Sequence, residues 1–81
     1  MPVVFRYKGY RFFFFSNEGD PPEPMHIHVR RGEATAKFWM LPQISLAESY
    51  NMNSSELREL MRLAEKNRKL IERYWNEHFS I

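Results

Sequence analysis

The hydrophobic periodicity of this chain changes near residue 53, and this change constrains the fold more than any other feature. Before that point, polar and apolar side chains alternate in short runs rich in aromatic and β-branched residues, which is typical of half-buried strands. After it, apolar residues recur at the three- and four-residue spacing of an amphipathic helix. Strands that come first and a helix that comes last predict an α+β fold.

The strand pattern predicts two hairpins followed by an edge strand. Lys8-Gly9 and Arg31-Gly32 have the composition of tight turns between paired strands. A short fifth strand is expected at Ile44–Ala47, at the edge of the sheet. The four hairpin strands are predicted at Val3–Tyr7, Tyr10–Ser16, Met25–Arg30 and Glu33–Met40.

One long helix is predicted from Ser54 to about His78. Asn53 and Glu56 have the spacing of a capping box, in which each side chain bonds the backbone N–H of the other residue. We therefore expect a four- to five-stranded antiparallel sheet covered on one face by this helix. The whole is expected to form a single domain over residues 1–81.

Two-residue turns would fix which side chains share a face of the sheet. In this register Val3 pairs with Phe14, and Arg30 pairs with Glu33. The apolar face then packs against the helix, and we call the other face, which the helix leaves uncovered, the open face. Val4 is predicted on the open face together with a group of cationic, aromatic and histidine side chains: Arg6, Arg11, Phe13, Phe15, His26, His28, Arg30, Lys37 and Trp39.

The two histidines of this group have a spacing that permits metal binding or acid–base catalysis. His26 and His28 are two residues apart on a strand, so both imidazoles point to the same side. They could bind one metal ion if another element supplied a third ligand, although no spacing rule selects that ligand. Alternatively, either imidazole could act as a catalytic acid or base beside the arginines, as in metal-free RNA cleavage. Whether the chain is an enzyme stays open at this point.

Binding without catalysis is the other class of hypothesis. Arg6 opposite Arg11 is a like-charge pair that an anion would stabilise, and aromatic residues beside arginine on a sheet can stack nucleic-acid bases. Trp39, Phe13 and Phe15 would instead form an exposed apolar patch of the kind that marks a protein interface. A small protein partner or self-association needs the fewest coincidences, and nucleic acid is the alternative.

Composition excludes several other functions. The chain has no cysteine, so it has no disulfide, thiolate metal site or cysteine nucleophile, which fits a reducing cytoplasm. Twelve Lys and Arg residues against ten Asp and Glu give a net charge of only +2, too even to indicate nucleic-acid binding by itself. The longest apolar run is Phe12–Phe15, so we expect a cytoplasmic protein without membrane contact. No phosphate-binding loop is present, and we expect no cofactor.

Several segments resemble one bacterial family, known as domain of unknown function 4160. They include the opening MPVVFR, the run GYRFFFFSNE, the box Pro24-Met25-His26-Ile27-His28-Val29, and the segments EATAKFW and WNEHF. The family usually has Pro-Pro-His-x-His, and Met25 stands here at the second proline. Members of this family are often encoded beside a second small domain of unknown function, 2442. The resemblance therefore implies a two-gene toxin–antitoxin-like module, and it draws attention to His26 and His28 without assigning a catalytic residue.

Overall fold

The computed structural model describes residues 3–15 and 23–79. These residues form one antiparallel sheet in the order β1-β2-β3-β4-β5, followed by two helices. The α+β class predicted from the sequence is confirmed. The elements are β1 (Val3–Tyr7), β2 (Tyr10–Phe13), β3 (His26–Arg31), β4 (Ala34–Trp39), β5 (Ser45–Tyr50), α1 (Ser54–Lys66) and α2 (Arg68–Phe79).

The hydrophobic core lies between one face of the sheet and the two helices. Phe14 and Trp75 meet edge to face there, with ring centroids 5.1 Å apart, and Phe5 stacks on Phe12 at 4.2 Å. Aromatic contacts of this kind add about 0.5–1.5 kcal/mol each to the burial of apolar area. The fully buried members of the core are Phe12, Phe14, Ile27, Val29, Phe38, Met40, Ala64 and Ile71.

The first hairpin follows the predicted register except at its open end. Lys8 and Gly9 both have positive φ, and they place Tyr7 opposite Tyr10 as expected. The predicted pairing of Val3 with Phe14 is wrong, because one extra residue at Val4 bulges from the ladder and Val3 pairs with Phe13. Val4 is therefore in the core rather than on the open face.

The second hairpin turns one residue later than predicted. Gly32 and Glu33 form the loop, since Gly32 accepts a φ of +60° at its first position. Arg30 consequently pairs with Thr35, and its predicted pairing with Glu33 is wrong. Each partner moves by two residues, so the predicted faces of both strands are preserved.

The single long helix predicted from the periodicity is interrupted at Asn67. The Asn67 side chain donates a hydrogen bond to the Leu63 carbonyl at 2.8 Å, and its φ and ψ of −104° and 22° leave the helical region. The Ile71 N–H bonds the Asn67 carbonyl at 3.0 Å, so α2 begins directly where α1 ends. The predicted start is confirmed, since the capping box of Asn53 and Glu56 is complete.

The predicted edge strand is present but extends further than expected. It covers Ser45–Tyr50 rather than Ile44–Ala47, and its ladder with β4 contains an extra residue at Ala47. Neither helix in the described part of the chain is long and apolar enough to span a lipid bilayer. The predicted β2 strand reached Ser16, which lies outside the described residues.

Candidate functional site

Three adjacent strands bring three arginines into one row on the open face. Arg11 on β2 lies directly opposite Arg6 on β1 and opposite Arg30 on β3. The row continues through Thr35 on β4 to Tyr50 on β5. Neighbouring strands are about 4.8 Å apart, so the three guanidinium stems are spaced along roughly 10 Å. We call these three side chains the arginine row.

The arginine row has no carboxylate partner within the described residues. The ion pairs found there join other residues: Arg31 with Glu56, Lys37 with Glu23, and Arg68 with Glu65. Arg6 and Arg30 are exposed, and Arg11 is half-buried. Like charges directly opposite one another destabilise a sheet. A shared anionic ligand would remove this cost.

A groove of about 280 Å³ lies beside the arginine row. Residues of β2, β3, β4 and β5 line it, among them Arg30 and Tyr50. His28 lines the groove and is half-buried. The His28 ring stacks on Phe13 at 5.5 Å and meets Phe15 at 4.6 Å.

The predicted exposed apolar patch is smaller than the sequence indicated. Phe13 faces the groove but is only 3% exposed, and Val4 belongs to the core. Phe15 is 42% exposed, and Trp39 is half-buried. The open face thus presents cations and polar groups with a few aromatic edges.

His26 differs sharply from His28 in its surroundings. It is fully buried, and its Nδ1–H donates to the Pro24 carbonyl at 2.9 Å. Its ring meets His28 at 5.1 Å, Trp39 at 5.5 Å and Trp75 at 5.1 Å, all between ring centroids. Because His26 has no exposed surface, a substrate on the open face would reach His28 alone.

A metal site would need more ligands than the described residues bring together. No group of three or more histidine, aspartate or glutamate side chains lies close enough there to hold an ion. The carboxylate of Glu23, just before β3, lies 3.6 Å from the Lys37 ammonium. Metal binding by His26 and His28 stays a prediction.

Lys37 lies on the open face as predicted, but its ammonium already has partners. Its ammonium lies 4.3 Å from the centroid of the Trp39 ring and is paired with Glu23. Glu48 lies directly opposite Lys37 on β5 and lines the groove. Because Lys37 is paired with Glu23, the additional carboxylate of Glu48 gives this end of the groove a net negative charge, whereas the arginine row is strongly positive.

The β5 strand forms an exposed edge of the sheet. All six of its residues are exposed, and among the residues that the structure describes it pairs only with β4. Leu46 and Tyr50 are 42% and 63% exposed. The strand contains no proline and no lysine, and its protections against edge pairing are the charge of Glu48 and the extra residue at Ala47.

A second polar cluster ties the sheet to α1 on the helix side. The Tyr10 hydroxyl donates to the Glu56 carboxylate, and the Arg31 guanidinium lies 4.5 Å from the centroid of the Tyr10 ring. Burial raises the pKa of Tyr10, and the bond to Glu56 raises it further. Glu56 also completes the helix cap, so this cluster is structural.

Sequence reasoning missed the groove residues that β5 supplies. Glu48 and Tyr50 both lie beyond Ala47, where the edge strand was predicted to end, so their partners could not be assigned. A longer β5 would have been indicated by Asn51, which ends the strand with a φ of 58°.

The described residues define a small α+β protein in which one face of the antiparallel sheet packs against the helices and the open face carries arginine, histidine and aromatic side chains. The chain belongs to the family described as domain of unknown function (DUF4160), whose family model matches residues 9–76. The match confirms the family that the His-x-His box indicated. No curated protein and no solved structure matches the chain.

Proposed function

We propose that this chain is a cytoplasmic component of a two-gene toxin–antitoxin-like module, and that it binds a small protein partner at the open face and at the adjoining β5 edge. The observation that carries the proposal is that all six residues of β5 are exposed. The gene arrangement implied by the family resemblance supports a small protein as the partner.

A free edge strand offers unpaired backbone groups to another chain. Adding a strand from a partner would satisfy the N–H and C=O groups of β5 that face away from β4. The exposed Leu46 would gain apolar contact in such a complex, since 42% of its surface is accessible in the free chain. Backbone pairing would supply affinity, and the side chains around the edge would supply specificity.

A dedicated partner fits this edge better than a second copy of the chain. The extra residue at Ala47 breaks the regular ladder of β5. Bulges twist an edge strand and hinder regular pairing between identical edges. A different protein can match the bulge with its own irregularity, so self-association is the weaker alternative.

The direct test measures binding of the small protein encoded by the neighbouring gene to two leucine variants. Leu46→Lys places a charge within β5, whereas Leu41→Lys places the same charge on a leucine of similar exposure, 47%, that precedes the strand. Both sites are exposed, so each variant should fold with a stability within about 0.5 kcal/mol of the parent. Affinity is measured by isothermal titration calorimetry.

We expect Leu46→Lys to weaken the complex by at least tenfold and Leu41→Lys to leave it within twofold. An equal effect of the two variants would reject the β5 edge as the docking site. The chain could instead form a stable homodimer that Leu46→Lys dissociates and that does not bind the neighbouring protein. That result would reject the proposal in favour of self-association.

A further inference from the structure

We propose that the arginine row and the neighbouring groove bind single-stranded nucleic acid, with the phosphodiester backbone on the arginines and bases against the groove. This inference goes beyond the proposed function, because it concerns a different class of ligand and centres on the arginine row and the groove rather than on the β5 edge. Both sites include side chains of the open face, and they adjoin at β5.

The charge distribution selects a polyanion that extends across strands. Arg6, Arg11 and Arg30 follow one another on three neighbouring strands, so a chain laid across them meets three cations in succession. No carboxylate of the described residues neutralises them. The Arg30 Nε–H donates to the Gly32 carbonyl at 2.9 Å, which holds its stem while its terminal N–H groups stay available to a phosphate.

The groove supplies surfaces that suit a base rather than a phosphate. Tyr50 lies at the end of the cross-strand row that begins with the arginines and is 63% exposed, so its side chain is accessible to a base. Glu48 lines the groove and would repel a phosphate, but its carboxylate can accept N–H donors of a base. The volume of about 280 Å³ lies just below the range for small-molecule sites, about 300–1,000 Å³.

Single strands fit this arrangement better than duplexes. A sheet surface recognises nucleic acid by stacking unpaired bases on its aromatic residues, and a duplex keeps its bases inside. His28 also lines the groove, where its ring contacts Phe13 and Phe15 and extends the aromatic lining. One single strand could then place its phosphates on the arginine row and its bases in the neighbouring groove.

The test uses fluorescence anisotropy with a fluorescein-labelled 12-nucleotide oligouridine at several salt concentrations. The first variant, Arg11→Gln/Arg30→Gln, removes two cations from the row. Its matched control, Arg58→Gln/Arg62→Gln, removes two exposed cations from α1 and has the same net charge. A duplex RNA of equal length and a polyglutamate peptide are measured alongside.

We expect the row variant to lose at least tenfold in affinity at low salt and the helix control to lose less than twofold. Loss of two phosphate contacts should also reduce the slope of log K against log salt by about 1.4, since each contact on a single strand adds roughly 0.7. Tyr50→Ala should weaken binding about tenfold, within the range for one stacked base, whereas Tyr50→Phe should bind normally.

Three results would each overturn the inference. Equal losses in the row variant and the helix control would leave only non-specific attraction to a basic protein. Unchanged binding by Tyr50→Ala would remove the base contact. Polyglutamate or duplex RNA that binds as tightly as the oligouridine would show that the surface does not select a single strand. Leu46→Lys should bind RNA normally, so this test is independent of the docking test at β5.

Discussion

Replacing Arg11 with glutamine should stabilise the free protein, although most substitutions destabilise a fold. Arg11 stands directly between Arg6 and Arg30, so it takes part in two like-charge pairs. Each cross-strand pair of this kind costs about 0.2–1 kcal/mol. Taking the middle of that range for both pairs predicts a gain of about 1 kcal/mol in the free energy of unfolding, before a small loss from the shorter stem.

The assay is urea unfolding of the parent, Arg11→Gln and Arg11→Lys at low ionic strength. Arg11→Lys keeps the charge and most of the stem, so it should not be stabilised. The gain of Arg11→Gln should appear as a higher midpoint with an unchanged m value. It should shrink toward zero near 1 M NaCl, where the screening length is about 3 Å. Destabilisation of Arg11→Gln, or a gain that salt does not reduce, would refute the electrostatic reasoning.

Other predictions concern the polar contacts that hold the fold. The raised pKa of Tyr10 means that the folded state favours the protonated phenol; stability is therefore complete below the ordinary value of 10.0 and falls as the pH rises above it. Urea midpoints at pH 9 and 11 should differ less in Tyr10→Phe than in the parent, and an identical decline in both would contradict this. Asn53→Ala should cost about 1 kcal/mol through loss of the helix cap, with Ser54→Ala as a near-neutral control in the same unfolding assay. His26→Ala should cost about 3 kcal/mol because it empties a fully buried aromatic site, and a loss no larger than that of His28→Ala would argue against a structural role.

The faces of the hairpin strands could be predicted because alternation fixes which residues lie together. Arg11, Arg30 and His28 lie on the open face although the predicted turn at Gly32 was wrong, since the pairing moved by an even number of residues. The core contacts of Trp75 followed in the same way from helical spacing. Hydrophobic periodicity was therefore sufficient to predict the fold class and most residues of the candidate surface.

Local irregularities could not be predicted from these patterns. The extra residues at Val4 and Ala47 depend on packing against neighbouring strands, and each changes which residue occupies the face. The break at Asn67 depends on the hydrogen bond from its side chain to the Leu63 carbonyl, which competes with the helical backbone. The apolar spacing of a helix continues through this position, so the sequence pattern does not indicate the break. The burial of His26 depends on Trp75 of α2, far away in the sequence, so the difference between the two histidines emerges only in three dimensions.

Hydrogen exchange of the β5 amides tests the central claim most directly. The exchange rates are measured by mass spectrometry or NMR for the free chain and for the chain saturated with the protein encoded by the neighbouring gene. Strand addition at the edge should slow exchange in Ser45–Tyr50 by more than tenfold, with little change in α1. Slowing confined to the exposed surfaces of α1 and α2, with β5 unchanged, would contradict the account.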